Sequence, residues 1–280
     1  MANTHLGAAS VSVLAVRGAS VERRPDSVVG EEPLQIRAAG PGQEPVEVAI
    51  TMRSTGHEAE LAAGFLMSEG LVTPAAIAAA KFHFGDPLVL AQPHDDILVE
   101  LPVTFDAAAV AARNFAATAS CGICGRASMD ALASWVQPLP PGPVVRRSVL
   151  VRMPDAMREA QALFERTGGL HASALFDVSG ALIVLREDVG RHNALDKVVG
   201  SRALAGALPL HGQVLLVSGR VSFEIVQKAA AAGNPVVAAV SAPSDLAVAT
   251  AERLGMTLVG FLRGDGFNIY SRPERIDLSA

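Results

Sequence analysis

Cysteine is nearly absent from this chain of 280 residues: Cys121 and Cys124 are its two thiols, which excludes a scaffold stapled by disulfides. Aromatic residues make up only 4%, with one Trp and one Tyr, so the core must be built from Ala, Val and Leu. Side chains that small favour close packing of helix on sheet. No block of lysines or arginines occurs; Arg23-Arg24 and Arg146-Arg147 are short pairs of the kind found on solvated surfaces. With a net charge of -5 there is no general pull toward nucleic acid. Long apolar runs are missing too, none approaching the roughly 18 residues of a membrane helix. The N-terminus lacks a cationic start followed by an apolar segment. These absences predict a cytoplasmic protein without a nucleic-acid or membrane partner, in a compartment that keeps both thiols reduced.

Those two cysteines stand two residues apart between glycines, in Ser120-Cys-Gly-Ile-Cys-Gly125. Cysteine reacts as the thiolate, so groups that lower its pKa decide what such a pair can do. Arg126 follows at once, and Met129, Leu132, Trp135 and Val136 have the spacing of an amphipathic helix, which puts the pair at a positive helix start. A structural zinc site would need two more ligands, and no second Cys-X-X-Cys or spaced His pair exists, so no metal is expected. A purely structural role as small buried thiols fits poorly with a glycine-flanked turn. Two readings remain: a thiol-disulfide pair, and a carrier whose thiolate takes sulfane sulfur from a donor persulfide and passes it on. Spacing alone does not rank them.

The chain is long enough for one large or two modest domains. Residues 1–44 are rich in Gly, Pro and Ser, with edge strands expected at 11–16 and 34–36. A strand is predicted over 46–51, then a helix opened by a capping box at Thr55-Gly-His-Glu58 and closed at Gly70, then a strand over 95–101. The run Gln-Pro-Leu-Pro-Pro-Gly-Pro at 137–143 can neither continue a helix nor enter a sheet interior, so a domain boundary is placed there. This gives a smaller α+β domain over 1–143, carrying the cysteine turn, and an α/β domain over 144–280. In the second, one helix is expected over 154–166, a β-hairpin from 170–176 and 181–185, and then alternating helices (191–205, 223–232, 245–254) and apolar strands (214–217, 236–240, 257–261). Such a pattern means a mixed, largely parallel sheet covered by helices on both faces.

In sheets of that kind ligands bind beyond the carboxyl ends of the strands. Three ends carry suitable groups: Ser218-Gly-Arg-Val-Ser222 and Ser241-Ala-Pro-Ser244 pass from strand to helix start, and Phe261-Leu-Arg-Gly-Asp-Gly266 offers a guanidinium and a carboxylate in a glycine-relaxed turn. Ordinary serine capping and a surface turn explain each one taken alone. His192, beside Arg191 at a helix start, is a further site candidate, although His192/Asp196 and Asn193/Lys197 could equally be i,i+4 helix pairs.

Taken together, Cys121-Gly-Ile-Cys-Gly125, Thr167-Gly-Gly-Leu-His171, the segment from Glu187 through Lys197, Ser218-Gly-Arg220 with Glu224 and Gln227-Lys228, and Phe267-Asn-Ile-Tyr270 resemble the formate dehydrogenase accessory sulfurtransferase family, FdhD. The resemblance runs in order from about residue 46 to 271. It implies a sulfurtransferase that takes sulfane sulfur from a cysteine desulfurase. The acceptor it implies is the molybdenum bis(molybdopterin guanine dinucleotide) cofactor destined for formate dehydrogenase. On the family pattern Cys121 becomes the persulfide, Cys124 assists or relays, and Phe261, Leu262, Arg263, Gly264, Asp265 and Gly266 bind the cofactor. It also implies a cytidine deaminase-like fold for the second half. Deaminase chemistry itself is not expected, because His171-Ala-Ser173 has serine where the acid/base glutamate belongs and the cysteine pair lies upstream without its proline. A homodimer is expected. The rivals are a thiol-disulfide oxidoreductase and a non-catalytic cofactor chaperone.

Overall fold

The computed structural model describes residues 7–85, 95–110 and 136–279. Valine-rich alternation makes Ala8–Arg17 (β1) and Ser20–Val29 (β2) an antiparallel ribbon that turns at Gly18. Glu32–Ala39 (β3) and Val46–Arg53 (β4) form the next antiparallel pair. The chain then enters helices Glu58–Ser68 (α1) and Pro74–Ala78 (α2) and returns through strands Lys81–Phe84 (β5) and Asp96–Glu100 (β6). The four strands make one sheet in the order β4-β3-β6-β5. β3 is therefore an inner strand, not the edge strand its polar neighbours suggest, because Leu34, Ile36 and Ala38 all point into the core.

The capping box at Thr55 does not form. Gly56 and His57 both take left-handed backbone conformations, so α1 starts later, with His57 at its N-cap and Glu58 reaching back to accept from Gly56 N–H at 2.6 Å. Gly70 ends the helix as expected.

Beyond the proline-rich run the chain forms strand Val145–Arg146 (β7), helices Arg147–Leu150 (α3), Met153–Ala160 (α4) and Ala162–Thr167 (α5), and the hairpin His171–Asp177 (β8) and Leu182–Asp188 (β9). Helix Arg191–Leu204 (α6), strand Gln213–Val217 (β10), helix Phe223–Ala231 (α7), strand Val236–Ala239 (β11), helix Asp245–Arg253 (α8) and strands Thr257–Arg263 (β12), Gly266–Ser271 (β13) and Ile276–Asp277 (β14) follow. Six of these strands make the main sheet, in the order β13-β12-β11-β10-β8-β9.

That sheet is mixed, but less parallel than the apolar runs suggest. β10, β11 and β12 are parallel to one another, while β13 is antiparallel to β12 as its hairpin partner and β8, whose hairpin partner is β9, pairs antiparallel with β10. The strand β13 is additional to the sequence expectation. The single helix expected over 154–166 is two helices, broken at Gln161, whose ψ of 70° is not helical.

Along β10 the side chains of Leu215 and Val217 enter one apolar cluster, with α1, α6 and α7, whereas Val214 and Leu216 enter another beneath α3 and α4. Both faces are thus covered, which is why the strand reads as an unbroken apolar run. Burying each such side chain is worth about 1.5–3 kcal/mol. The first cluster also contains Leu34, Leu61 and Ile97, so it runs from the four-stranded sheet through α1 and α6 to the six-stranded sheet.

Where α1 crosses α6, two glycines let the backbones touch. A Cβ on Gly64 would stand 1.8 Å from the Asp196 carbonyl oxygen, and one on Gly200 would stand 1.8 Å from that of Glu60. Charged groups are buried beside this crossing. Lys197 Nζ sits 2.6 Å from Asp188 and donates to the Ser54 carbonyl at 2.9 Å. Lys228 Nζ donates to Asp196 at 2.9 Å, to Ser68 Oγ at 2.9 Å and to Glu69 at 2.8 Å. Asn193 donates to the Met52 carbonyl. Asn193, Asp196 and Lys197 are therefore bound to other elements; Asp196 and Lys197 are not engaged as i,i+4 partners of His192 and Asn193.

One further link is solvent-accessible. Arg186 on β9 grips Glu60 on α1 with two hydrogen bonds, at 2.5 and 2.7 Å. Burial pushes the Glu60 carboxyl up, but hydrogen bonds from Arg186 and His57 outweigh it and lower it to about 2 from its ordinary 4.5. A depressed folded pKa means a contribution that is complete above the unfolded value and lost as pH falls. The expected outcome is that Glu60→Gln removes part of the stability loss between pH 4.5 and about 2, measured by urea unfolding across that range. Because the pair is half-buried and partly screened, the change should be no more than about 1 kcal/mol.

Among the described residues no helix is long and apolar enough to cross a membrane.

Candidate functional site

The three suspected strand ends lie along one edge. β10, β11 and β12 run parallel, so Ser218 and Ser241, just beyond the carboxyl ends of β10 and β11, and Arg263, the last residue of β12, lie along one edge, and antiparallel β8 brings its own first residue, His171, to the same edge beside Ser218. The local hydrogen bonds fix this arrangement. Ser218 N–H donates to the Ala172 carbonyl at 2.9 Å, and Ser218 Oγ accepts from Ala172 N–H at 2.9 Å. Gly219 follows, where a Cβ would come within 3.2 Å of His171 Nδ1. A larger residue there would crowd the imidazole.

The two serine-bearing helix starts differ. Ser244 caps α8 in the ordinary way, accepting from Ala247 N–H at 3.2 Å. Ser222, at the N-cap of α7, makes no capping bond; its Oγ lies 3.3 Å from His192 Nε2. That same nitrogen is 2.9 Å from Glu224 Oε2, and the contact is the main cause that holds the Glu224 carboxyl below its usual range. His171 is shifted in a direction that disfavours its charge: burial, then the nearby Arg191 and His192, lower its pKa, against a smaller opposing pull from Asp188. Two histidines therefore share this end of the sheet, one paired with a carboxylate and one whose charge is disfavoured by burial.

At the third strand end, Phe261 is a non-glycine residue with φ of 54°, held by its N–H bond to the Ser241 carbonyl at 3.1 Å. The register of β12 on β13 slips between Gly260 and Arg263 at this point. The strain belongs to a bulge, and bulges re-aim side chains at strand ends. Arg263 then lies over the Phe261 ring at 5.6 Å, Gly264 and Asp265 form the two-residue turn, and Gly266 opens β13. Leu262 is buried, so of the six residues it is the one that serves the core. Asp265 and Gly266 line a cavity of about 660 Å³ with Phe267 and Arg147.

A second cavity of about 570 Å³ lies at the His171 end and is lined by Arg158, Gln161, Phe164, His171 and Ser218 among others. Three of these, Arg158, Gln161 and Phe164, sequence reading passed over. A signal was present, since Gln161 continues the i, i+4 row of Met153 and Met157 and so places a carboxamide on an apolar stripe. Cys121 and Cys124, with Arg126, lie outside the described residues.

The FdhD/NarQ family profile matches residues 29–277. A protein of Streptomyces avermitilis named sulfur carrier protein FdhD is 47% identical over 279 residues, covering 96% of this chain and 95% of that protein. The protein of the same name from Mycobacterium tuberculosis is 45% identical over 260 residues, covering 90% and 92%. Among solved structures, a candidate formate dehydrogenase accessory protein from Desulfotalea psychrophila superposes with a TM-score of 0.73 at 25% identity, covering 96% of this chain and 99% of that one. Both the spread of the match across the two sheets and its identity lead to one conclusion: the chain belongs to the FdhD/NarQ family of sulfur carriers.

Proposed function

We propose that the chain is a persulfide carrier for molybdoenzyme maturation in the cytoplasm. It takes sulfur from a cysteine desulfurase and gives it to the molybdenum bis(molybdopterin guanine dinucleotide) of formate dehydrogenase, which here is substrate. The observation that carries this reading is the joint presence of two lone thiols in a family of sulfur carriers and a strand-end edge able to receive a large polar ligand.

Each step is a displacement at sulfur. The Cys121 thiolate attacks the outer sulfur of the donor's persulfide; the donor S–S bond breaks and its electron pair leaves as the donor thiolate. In delivery the acceptor's electron pair forms the new bond to that outer sulfur, and Cys121 is released again as a thiolate. Cys124 assists or relays, and Arg263, exposed at the β12 end, supplies a cation for the acceptor's phosphates. A cytidine deaminase-like ancestry of residues 144–280 and a homodimeric assembly belong to the same reading.

The test is the intact mass of the reduced protein after incubation with a cysteine desulfurase and L-cysteine. Gain of one sulfur, removable by reductant and lost in Cys121→Ala, is the expected result. An unmodified mass beside an active donor would refute the carrier role. If Cys124→Ala still loads and delivers sulfur, the thiol-disulfide alternative fails as well.

A further inference from the structure

One cluster at the carboxyl edge of the main sheet is not explained by the needs of the fold. His192, in the first turn of α6, reaches across to the start of α7, where its Nε2 lies 2.9 Å from Glu224 Oε2 and 3.3 Å from Ser222 Oγ. Other charged or titratable groups at this end include Arg191 on α6, His171 on β8, Asp188 on β9 and Lys228 on α7. The same two helices are already tied together deeper down, where Lys228 meets Asp196 in a buried pair. An outer pair whose side chains are 30% and 56% exposed contributes little to stability. α7 even gives up something to form it: a serine at the N-cap ordinarily accepts from the first turn, yet Ser222 makes no capping bond and keeps its Oγ beside His192. Departures of this kind from local rules collect at functional sites.

The Glu224 carboxyl is held below its usual range, chiefly by this contact, and is ionised. A carboxylate can only accept, so the ring nitrogen that faces it carries a proton. The uncharged ring then keeps its lone pair on Nδ1, which is bonded to nothing among the described residues. That is the arrangement of a general base with its orienting group. Delivery of sulfane sulfur calls for such a base. The outer sulfur of a persulfide is an electrophile while it is protonated; as an anion it repels an incoming electron pair. When the acceptor's pair bonds to it and the S–S pair leaves with Cys121, the sulfur reaches the acceptor still carrying its proton. We propose that His192 Nδ1 takes that proton, with Glu224 and Ser222 holding the ring. The S–H electron pair stays with sulfur, which is reduced to sulfide as the acceptor gives up two electrons, and the imidazolium releases the proton to water. The step rests on the carrier role and acceptor given above and adds the proton transfer that delivery needs.

The test separates loading from delivery. The full chain is loaded with a cysteine desulfurase and L-cysteine, freed of donor, and mixed with molybdenum bis(molybdopterin guanine dinucleotide) released from a molybdoenzyme; rapid quenching and intact mass follow the loss of the added sulfur. In His192→Gln, loading and discharge to cyanide should match the unaltered protein, because cyanide is small and needs no binding site. Delivery to the cofactor should slow by roughly 10²-fold or more, the scale of a lost general base. Added imidazole should restore part of the rate in His192→Ala, a gain that a structural defect would not show. Glu224→Leu should slow delivery too, and Glu224→Gln, which still accepts from Nε2–H, should slow it less. Cofactor affinity, read by equilibrium dialysis, should be unchanged throughout. Delivery at the unaltered rate in His192→Gln, a slowing matched by lost affinity, or no response to imidazole would each overturn the proposal while leaving the carrier role standing. Failure of the unaltered protein to load sulfur would instead remove the carrier role, and this step with it.

Discussion

Gly64→Ala is expected to lower the melting temperature more than any other single methyl added to this protein, with Gly200→Ala beside it. In most over-packed cores a neighbouring side chain rotates away. Here the atoms in the way are carbonyl oxygens of the facing helix, 1.8 Å from where each Cβ would sit, so α1 and α6 must separate along their length. Over-packing costs typically 1–3 kcal/mol, and an obstacle made of backbone belongs at the top of that range. In a chain of this size about 3 kcal/mol corresponds to a fall of roughly 6–12 °C. Calorimetry would measure it, and a fall of less than about 2 °C for both variants would show that the crossing is looser than described.

Lys228→Met should be the most damaging loss of a charge. Burial pushes the Lys228 pKa down, but Asp196 and then Glu69 outweigh it, and the amine is held above its ordinary value. The accompanying geometry, in which Asp196 accepts from Lys228 twice and from Ser68 at 2.7 Å, is that of an ionised carboxylate. For a cation raised in the folded state, stability is fully present below the unfolded pKa and is lost as pH rises through the folded one. In the unaltered protein this is a loss confined to strongly alkaline pH. Removing Lys228 strands Asp196 in the core at a cost of about 3–5 kcal/mol. The stranded carboxyl then favours its proton, which inverts the pH dependence: the deficit should grow from pH 5 to pH 8. Adding Asp196→Asn should recover much of the loss and flatten the profile. Urea unfolding at the two pH values checks both statements, and a deficit independent of pH would mean that Asp196 is not the stranded group.

Reading the sequence recovered elements that announce themselves locally. The runs at 214–217 and 236–240 are strands because small apolar side chains fill both faces, and Gly70, Gly233 and Gly255 end helices in left-handed conformations. What it missed depended on distant partners. Gln161 is a good helix former within an apolar repeat, and the break there goes with a distant partner, the Glu187 carboxylate on β9, which accepts from the Leu163 and Phe164 N–H groups that open α5. Asp196 and Lys197 sit at tempting i,i+4 spacings from His192 and Asn193, yet their partners come from α1, α7 and the ends of β4 and β9. At the candidate site, the strand ends were legible because parallel strands place their carboxyl ends together. That His171 joins them was not legible, since it depends on β8 pairing antiparallel with β10. The cysteine turn, the strongest chemical signal in the sequence, stands outside the described residues.

The seam between α1 and α6 also sets an order on how the chain is made. Ser68 and Asp196, which bond across it, are 128 residues apart. During synthesis, the apolar face of α1 and the acceptors at Ser54 and Ser68 leave the ribosome long before α6 exists to cover them. Closing so long a loop is slow, because its entropy is lost before any contact repays it. The nascent N-terminal half therefore waits, partly assembled, with its future interface open to other chains. Holding chaperones should engage it during that interval and release it once residues near Gly200 and Lys228 have emerged.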